Sequence, residues 1–244
     1  YNRTLTLNGA STNFGTLQMF SRDVNTSLAG TGHLLSHGLI QITPVGGGGG
    51  WGHLYLPTEL GPTGRLWVES SAWLAMHSGA ALTVGGVLQI DPGGLVEVEN
   101  DGPARDVTLL PGSSTVGSGT LRLYGANGLV VGESLHTALA LQLRDSSHAS
   151  GEGELLLSGD QSTSGRFALP VTLVNGTSSL QGVTFDAPVL LGTGAAVALD
   201  NVLANDSFTI AASAAATLVY NRTLTLNGAS TNFGTLQMFS RDVN

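Results

Sequence analysis

The residues able to do chemistry are few and mostly acidic. Asp91, Glu97, Glu99, Asp101 and Asp106 fall within sixteen positions. Glu97 and Glu99 alternate with Val96 and Val98, so an extended chain turns both carboxylates to one side. Paired carboxylates hydrolyse glycosidic bonds when they stand about 5–10 Å apart. With backbone oxygens they hold Ca²⁺. The outer face of one strand is the ordinary home of such glutamates, and a solvated face is the expectation. His33 and His37 are four apart, and His53 and His77 follow. Zinc needs three or four converging ligands, and neither an HExxH helix nor a paired-Cys frame accompanies these histidines, so they are expected in turns or in solvent. Gly132-Glu-Ser134-Leu-His136 lacks the second glycine of a nucleophile elbow. No Gly-x-Gly-x-x-Gly phosphate loop is expected. No catalytic residue, metal ligand or cofactor is expected.

Two other groups of residues carry possible contacts. Asn2, Asn25, Asn175, Asn205 and Asn221 each open an N-x-[ST] sequon. In a secreted eukaryotic protein these are glycan sites on an outer surface; otherwise they are turn or ladder asparagines. Residues 43–73 hold a five-glycine run, Gly46–Gly50, and all three tryptophans. The glycines read as an excursion from regular structure. Trp51, Tyr55, Trp67 and Trp73 form either an aromatic stack along the fold or a lateral-contact patch for sugars or a neighbouring filament.

Composition narrows what these residues can serve. The chain has 244 residues, 35 Gly, no Cys, no Lys, only 11% charged residues and a net charge of -8. Disulfides, thiol catalysis and Cys-based zinc sites are excluded, as are Schiff-base lysines and the P-loop lysine. Nine scattered Arg in an acidic chain make no nucleic-acid footprint. No apolar run reaches the ~18 residues of a membrane-spanning helix.

The elements that must position these residues are short strands. Gly15-Thr-Leu-Gln-Met, Gly38-Leu-Ile-Gln-Ile, Gly64-Arg-Leu-Trp-Val, Gly86-Val-Leu-Gln-Ile, Gly94-Leu-Val-Glu-Val and Gly119-Thr-Leu-Arg-Leu share one form: Gly, any residue, apolar, any residue, apolar. Period two argues strands, and helical periodicity is lacking; Ala211–Ala216 offers at most one doubtful turn. The strands recur at a longer spacing. Leu17/Met19, Ile40/Ile42 and Leu66/Val68 lie 23 and 26 apart. Val171/Leu173, Val197/Leu199 and Leu224/Leu226 lie 26 and 27 apart, and Val183/Phe185, Phe208/Ile210 and Leu236/Met238 lie 25 and 28 apart. A spacing of 22–28 residues is that of one coil of a parallel β-solenoid. The fold expected is therefore all-β, a parallel β-helix, right-handed.

Residues 1–25 and 220–244 are identical at all 25 positions, an offset of 219. Chance does not preserve every surface residue. The chain is then a window on near-identical tandem repeats, an engineered overlap, or a recent partial duplication. The tandem reading is preferred: 1–219 is one full period, of roughly nine coils, and 220–244 opens the next. No polar capping coil is evident at either terminus, as expected of a piece from the middle of an array.

Gly119-Thr-Leu-Arg-Leu-Tyr-Gly-Ala-Asn and Gly153-Glu-Leu-Leu-Leu-Ser-Gly resemble the turns of right-handed β-helix surface proteins. Autotransporter passengers, filamentous-haemagglutinin-like adhesins and giant repeat-bearing surface proteins are of this kind. The resemblance implies an extracellular or cell-surface stalk, fibre or adhesin shaft. Its partners would be adjacent copies along a fibre axis, glycans or neighbouring filaments. The alternative is a polysaccharide-binding or polysaccharide-degrading β-helix protein.

Overall fold

The computed structural model describes residues 3–21, 25–44 and 50–239. These residues form strands joined by turns, with no helix among them. Ala215–Leu218 of the alanine-rich stretch is a strand. Every strand pairs in parallel with the strand three places along the chain, apart from two interruptions. That rule defines a parallel β-solenoid of about ten turns, three strands to the turn, with three faces. Face I is carried by a seven-stranded sheet from Arg3–Thr6 to Ala140–Leu143, then a five-stranded one from Ser162–Thr163 to Thr235–Met238. Face II is one sheet of eleven strands from Ala10–Asn13 to Leu224–Leu226. Face III is a five-stranded sheet ending at Ser114–Val116, continued by six strands from Leu135–Thr137 to Ser230–Asn232.

The alternation in each strand fills the core. Ile40, Ile42, Leu66, Val68, Leu88 and Ile90 point inward and are buried, each above its predecessor in register. Inward leucines, valines and isoleucines make one cluster from Met19 to Ala216, because each coil buries its apolar row only against the coils on either side.

Coil length is not uniform. Thr16 sits on Leu39 and Leu39 on Arg65, offsets of 23 and 26, as the Leu17/Ile40/Leu66 series predicts. Further on, Leu155 sits on Val171 and Val171 on Val189, offsets of 16 and 18. The other two series fail for this reason. Val171, Val197 and Leu224 lie on faces III, I and II, and Val183/Phe185, Phe208/Ile210 and Leu236/Met238 are likewise split between faces. A spacing of 25 exceeds one short coil by about one strand and its turn, so it joins strands of different faces.

The two sheet breaks coincide with this shortening. After the face I strand Ala140–Leu143, side chains replace the missing ladder: Leu141 N donates to Gln161 Oε1 at 2.8 Å and Leu143 N to Thr163 Oγ1 at 3.2 Å. Gln161 Nε2 in turn donates to Leu139 O and Ser158 O. The amides stay satisfied while the chain is re-phased, as buried backbone groups require. The face III break is less well filled. A void of about 10 Å³ lies there, lined by Leu109, Thr115 and Leu135 among others, and buried Thr115 Oγ1 has no hydrogen-bond partner.

Candidate functional site

The solenoid gathers much of the candidate chemistry onto face I over three coils. In the strands Gly50–Leu54, Ala72–Met76 and Leu95–Val98, Trp51 is in register with Trp73 and Leu95, and His53 with Ala75 and Glu97. The last column continues to Arg122 and Gln142. Because Leu54, Leu74, Met76, Val96 and Val98 must face the core, His53, Glu97 and Arg122 project outward.

Two linked networks result. At the corner that follows face I, His53 Nδ1 lies 2.7 Å from His77 Nε2, and His77 Nδ1 lies 2.9 Å from Asp101 Oδ2. Arg105 Nη2 donates to Asp101 Oδ1 at 2.6 Å. The carboxylate assigns the proton on His77 Nδ1, so with both rings neutral His53 Nδ1–H donates to His77 Nε2. His53 Nε2 is buried without a partner. Tyr55 stacks on His77 at 4.5 Å between ring centroids and is itself exposed. Burial, and secondarily His77, lowers the His53 pKa. Burial alone would raise Asp101, but hydrogen bonds from His77 and Arg105 outweigh it and hold its carboxyl below the usual range.

Two coils further along the His53 column, Glu97 is only 4% exposed and accepts from Arg122 Nη1 at 2.8 Å. Arg122 Nε also donates to Gln142 Oε1 at 2.7 Å. Burial raises the Glu97 pKa; the Arg122 hydrogen bond opposes this and Glu99 reinforces it.

The acidic cluster is therefore partly assembled. Glu97 and Glu99 do lie on one side, beside Asp101. Asp106 belongs to face II, in Asp106–Leu109. Asp91 follows the face III strand Val87–Ile90, where it accepts from Trp67 Nε1 at 2.8 Å and Gln89 Nε2 at 2.7 Å. The aromatic patch divides in the same way. Trp51, Tyr55 and Trp73 follow face I, whereas Trp67 lies on face III in a column with Gln41 and Gln89, under the Arg65 guanidinium. The glycines at 46–49 and the side chain of Trp51 lie outside the described residues.

The remaining candidates are dispersed. His33 pairs with Glu59 at 3.8 Å, and His37 stacks on Phe14 at 5.4 Å. Among the described residues no three His, Asp or Glu side chains are placed to hold a metal ion. Ser134 Oγ accepts from Glu154 N at the rim of a shallow groove of about 200 Å³ with His136 and Leu156. Asn25, Asn175, Asn205 and Asn221 are exposed at turns, the last two in sequence contexts that differ. Asn205 donates to Asp186 Oδ1 and accepts from Asn227, whereas Asn175 and Asn221 adopt left-handed backbone at φ 51 and 57. Asn2 lies outside the described residues.

Two structural residues went unread in the sequence. Arg105, 6% exposed, donates to Met76 O and Pro103 O as well as Asp101. Asn127, still more deeply buried, accepts from Arg105 N and donates to Tyr124 O and Glu99 O. The Gly-Ala-Asn-Gly turn was the available signal for Asn127. Nothing local marks Arg105.

The assembled fold and face define the class: a three-faced parallel β-solenoid with an outward aromatic, histidine and carboxylate patch. The chain matches no protein-family model, no curated protein and no solved structure. No helix among the described residues is long and apolar enough to cross a membrane.

Proposed function

We propose that the chain is one period of a tandem array, and that its role is mechanical: the rigid shaft of an extracellular or cell-surface fibre, stalk or adhesin. One observation carries this reading. The eleven-stranded sheet of face II runs without interruption from the first copy of the repeated sequence to the second. Each coil adds backbone hydrogen bonds along the axis and buried aliphatics within, so stiffness and length grow with copy number. The surface location and the glycan sites at the exposed sequons draw support from the likeness of the Gly119–Asn127 turn to surface β-helix proteins. The first test is the native polypeptide's mass under denaturing conditions. A mass many times 24.9 kDa, with particles whose length scales with mass, is expected. A mass near 24.9 kDa with short particles overturns the reading.

The Tyr55–His77 stack favours a second reading, binding of polysaccharide on face I, since an exposed ring held rigid is a platform for a sugar. Tyr55→Ala abolishing binding to a polysaccharide would support it. A broad glycan screen without binding would end it. On either reading the chain is not expected to turn over substrate.

A further inference from the structure

The repeated segment does not return to the face it left. In the first copy, Arg3–Thr6, Ala10–Asn13 and Thr16–Ser21 lie on faces I, II and III. In the second, Leu224–Leu226, Ser230–Asn232 and Thr235–Met238 lie on faces II, III and I. Thirty-one strands separate corresponding elements, which at three per turn is ten and one-third turns. At ~4.8 Å per coil the rise is roughly 50 Å.

The local conformation is nonetheless the same in both places. Asn13 Oδ1 accepts from Gly15 N at 3.1 Å, and Asn232 Oδ1 from Gly234 N at 3.0 Å. Ser11 Oγ bonds Gly9 O, and Ser230 Oγ bonds Gly228 O, each at 3.4 Å. The inward set is also conserved between them: Leu5 stands in register with buried Leu28, its copy Leu224 with buried Val202.

The first copy shows what this segment receives on its outer edge. Thr26–Ala29, His33–Ser36 and Leu39–Pro44 stack on it strand for strand. Three glycines make that approach possible: a Cβ on Gly30, Gly32 or Gly38 would come within 2.1–2.2 Å of Leu7 O, Gly9 O or Gly15 O. Asn13 Nδ2 donates upward to Ser36 Oγ and Leu39 O, and Phe14 stacks on His37. Among the described residues the second copy presents the same edge open. Met238 and Phe239 are 73% and 62% exposed, against 6% and 48% for Met19 and Phe20 in the first copy, above an apolar hollow of about 90 Å³ lined by Phe208, Ile210, Leu224 and Leu236.

Building on the tandem reading, we infer that this C-terminal edge is the seat for a following copy of residues 26–44 in the same polypeptide, entered one face further round. Successive periods are then turned by a third of a turn. The Tyr55–His77 patch falls on faces I, II and III in succession, and the shaft offers it in three lateral directions, repeating after three periods. A separate chain is the poorer occupant, because its residues 26–44 are already paired to its own first coil and would have to release it.

The chain has no Cys, which permits a direct test. In-register parallel neighbours stand close enough for a disulfide. In the 244-residue chain, Thr209→Cys with Thr231→Cys, and Thr217→Cys with Gln237→Cys, are expected to crosslink on oxidation. Thr209→Cys with Gln237→Cys is expected not to. The reverse pattern overturns the one-face advance. In a two-period chain, Thr231→Cys is expected to close within the molecule with Leu35→Cys of the second period, while the 244-residue chain stays monomeric. End-to-end polymerisation of separate 244-residue chains, with that crosslink forming between them, overturns the covalent seat yet leaves a mechanical shaft standing. A compact native protein of single-period mass removes the shaft without altering the in-chain crosslinks.

Discussion

His53 and Glu97 share one column of face I, two coils apart, and respond to acid with opposite sign. His53 has a lowered pKa, first through burial and then through His77. Below the unfolded value of about 6.5 the unfolded chain takes up a proton that the folded face resists. Its contribution is full above that pH and is lost as pH falls. Glu97 has a raised pKa through burial, only partly offset by Arg122. Its contribution is full below the unfolded value of about 4.3 and is lost as pH rises through the folded value. Urea midpoints against pH are expected to show His53→Gln flattening the loss below pH ~6.5, and Glu97→Gln flattening the loss above ~4.3. Glycines offer a sharper residue-scale test, because the repeat supplies matched sites. A Cβ on Gly15 meets nothing within 4 Å, whereas on Gly234, its copy, it meets Ala211 O at 2.3 Å. Gly15→Ala is expected to change stability by less than about 1 kcal/mol and Gly234→Ala to destabilise by more than that. Denaturant unfolding of the two variants compares them directly.

At the scale of elements, the solenoid changes gauge where two of its three faces are interrupted. Gln161 and Thr163 hold the amides of Leu141 and Leu143 there, so a side chain does the work of a strand. Gln161→Leu leaves Leu141 N buried and unpaired, and about 1–3 kcal/mol of destabilisation is expected. Gln142→Leu, on the outer surface nearby, is expected to cost less than about 1 kcal/mol. Thermal melts of both variants read the difference. The Gly-x-apolar-x-apolar form marked the strands well, since an alternating row has one way to face a core. It did not mark the seam. Gln161 is polar, lies between short strands and resembles any turn residue until the neighbouring coil supplies its partners.

The whole molecule is a stack without a centre, and its ends differ from its middle only in what they face. Met19 and Met238 occupy the same place in the repeat. Met19 has Ile42 in register above it and is buried, and Met238 is exposed at the open edge. Met238→Ser is expected to leave the stability of the 244-residue chain within about 0.5 kcal/mol of the parent. In a two-period chain the same change is expected to lower the unfolding midpoint, because the side chain there packs beneath the Ile42 of the next copy. Equal effects in the two chains would count against the stacked junction.

The sequence by itself determined the strands, their inward and outward sides, the solenoid class and the 25-residue identity, because alternation and repetition are local properties of a chain. It brought Glu97 and Glu99 together because Glu99 directly follows the strand Leu95–Val98 that carries Glu97. It did not determine which strands share a face, since coils of 16 to 27 residues make a fixed spacing slip from one face to the next. Only the tertiary structure separated Trp67 from Trp73, joined His53 to Asp101 across three coils, and set the second copy one face beyond the first. Those relations accumulate from the lengths of every intervening turn, and no single stretch of residues contains them.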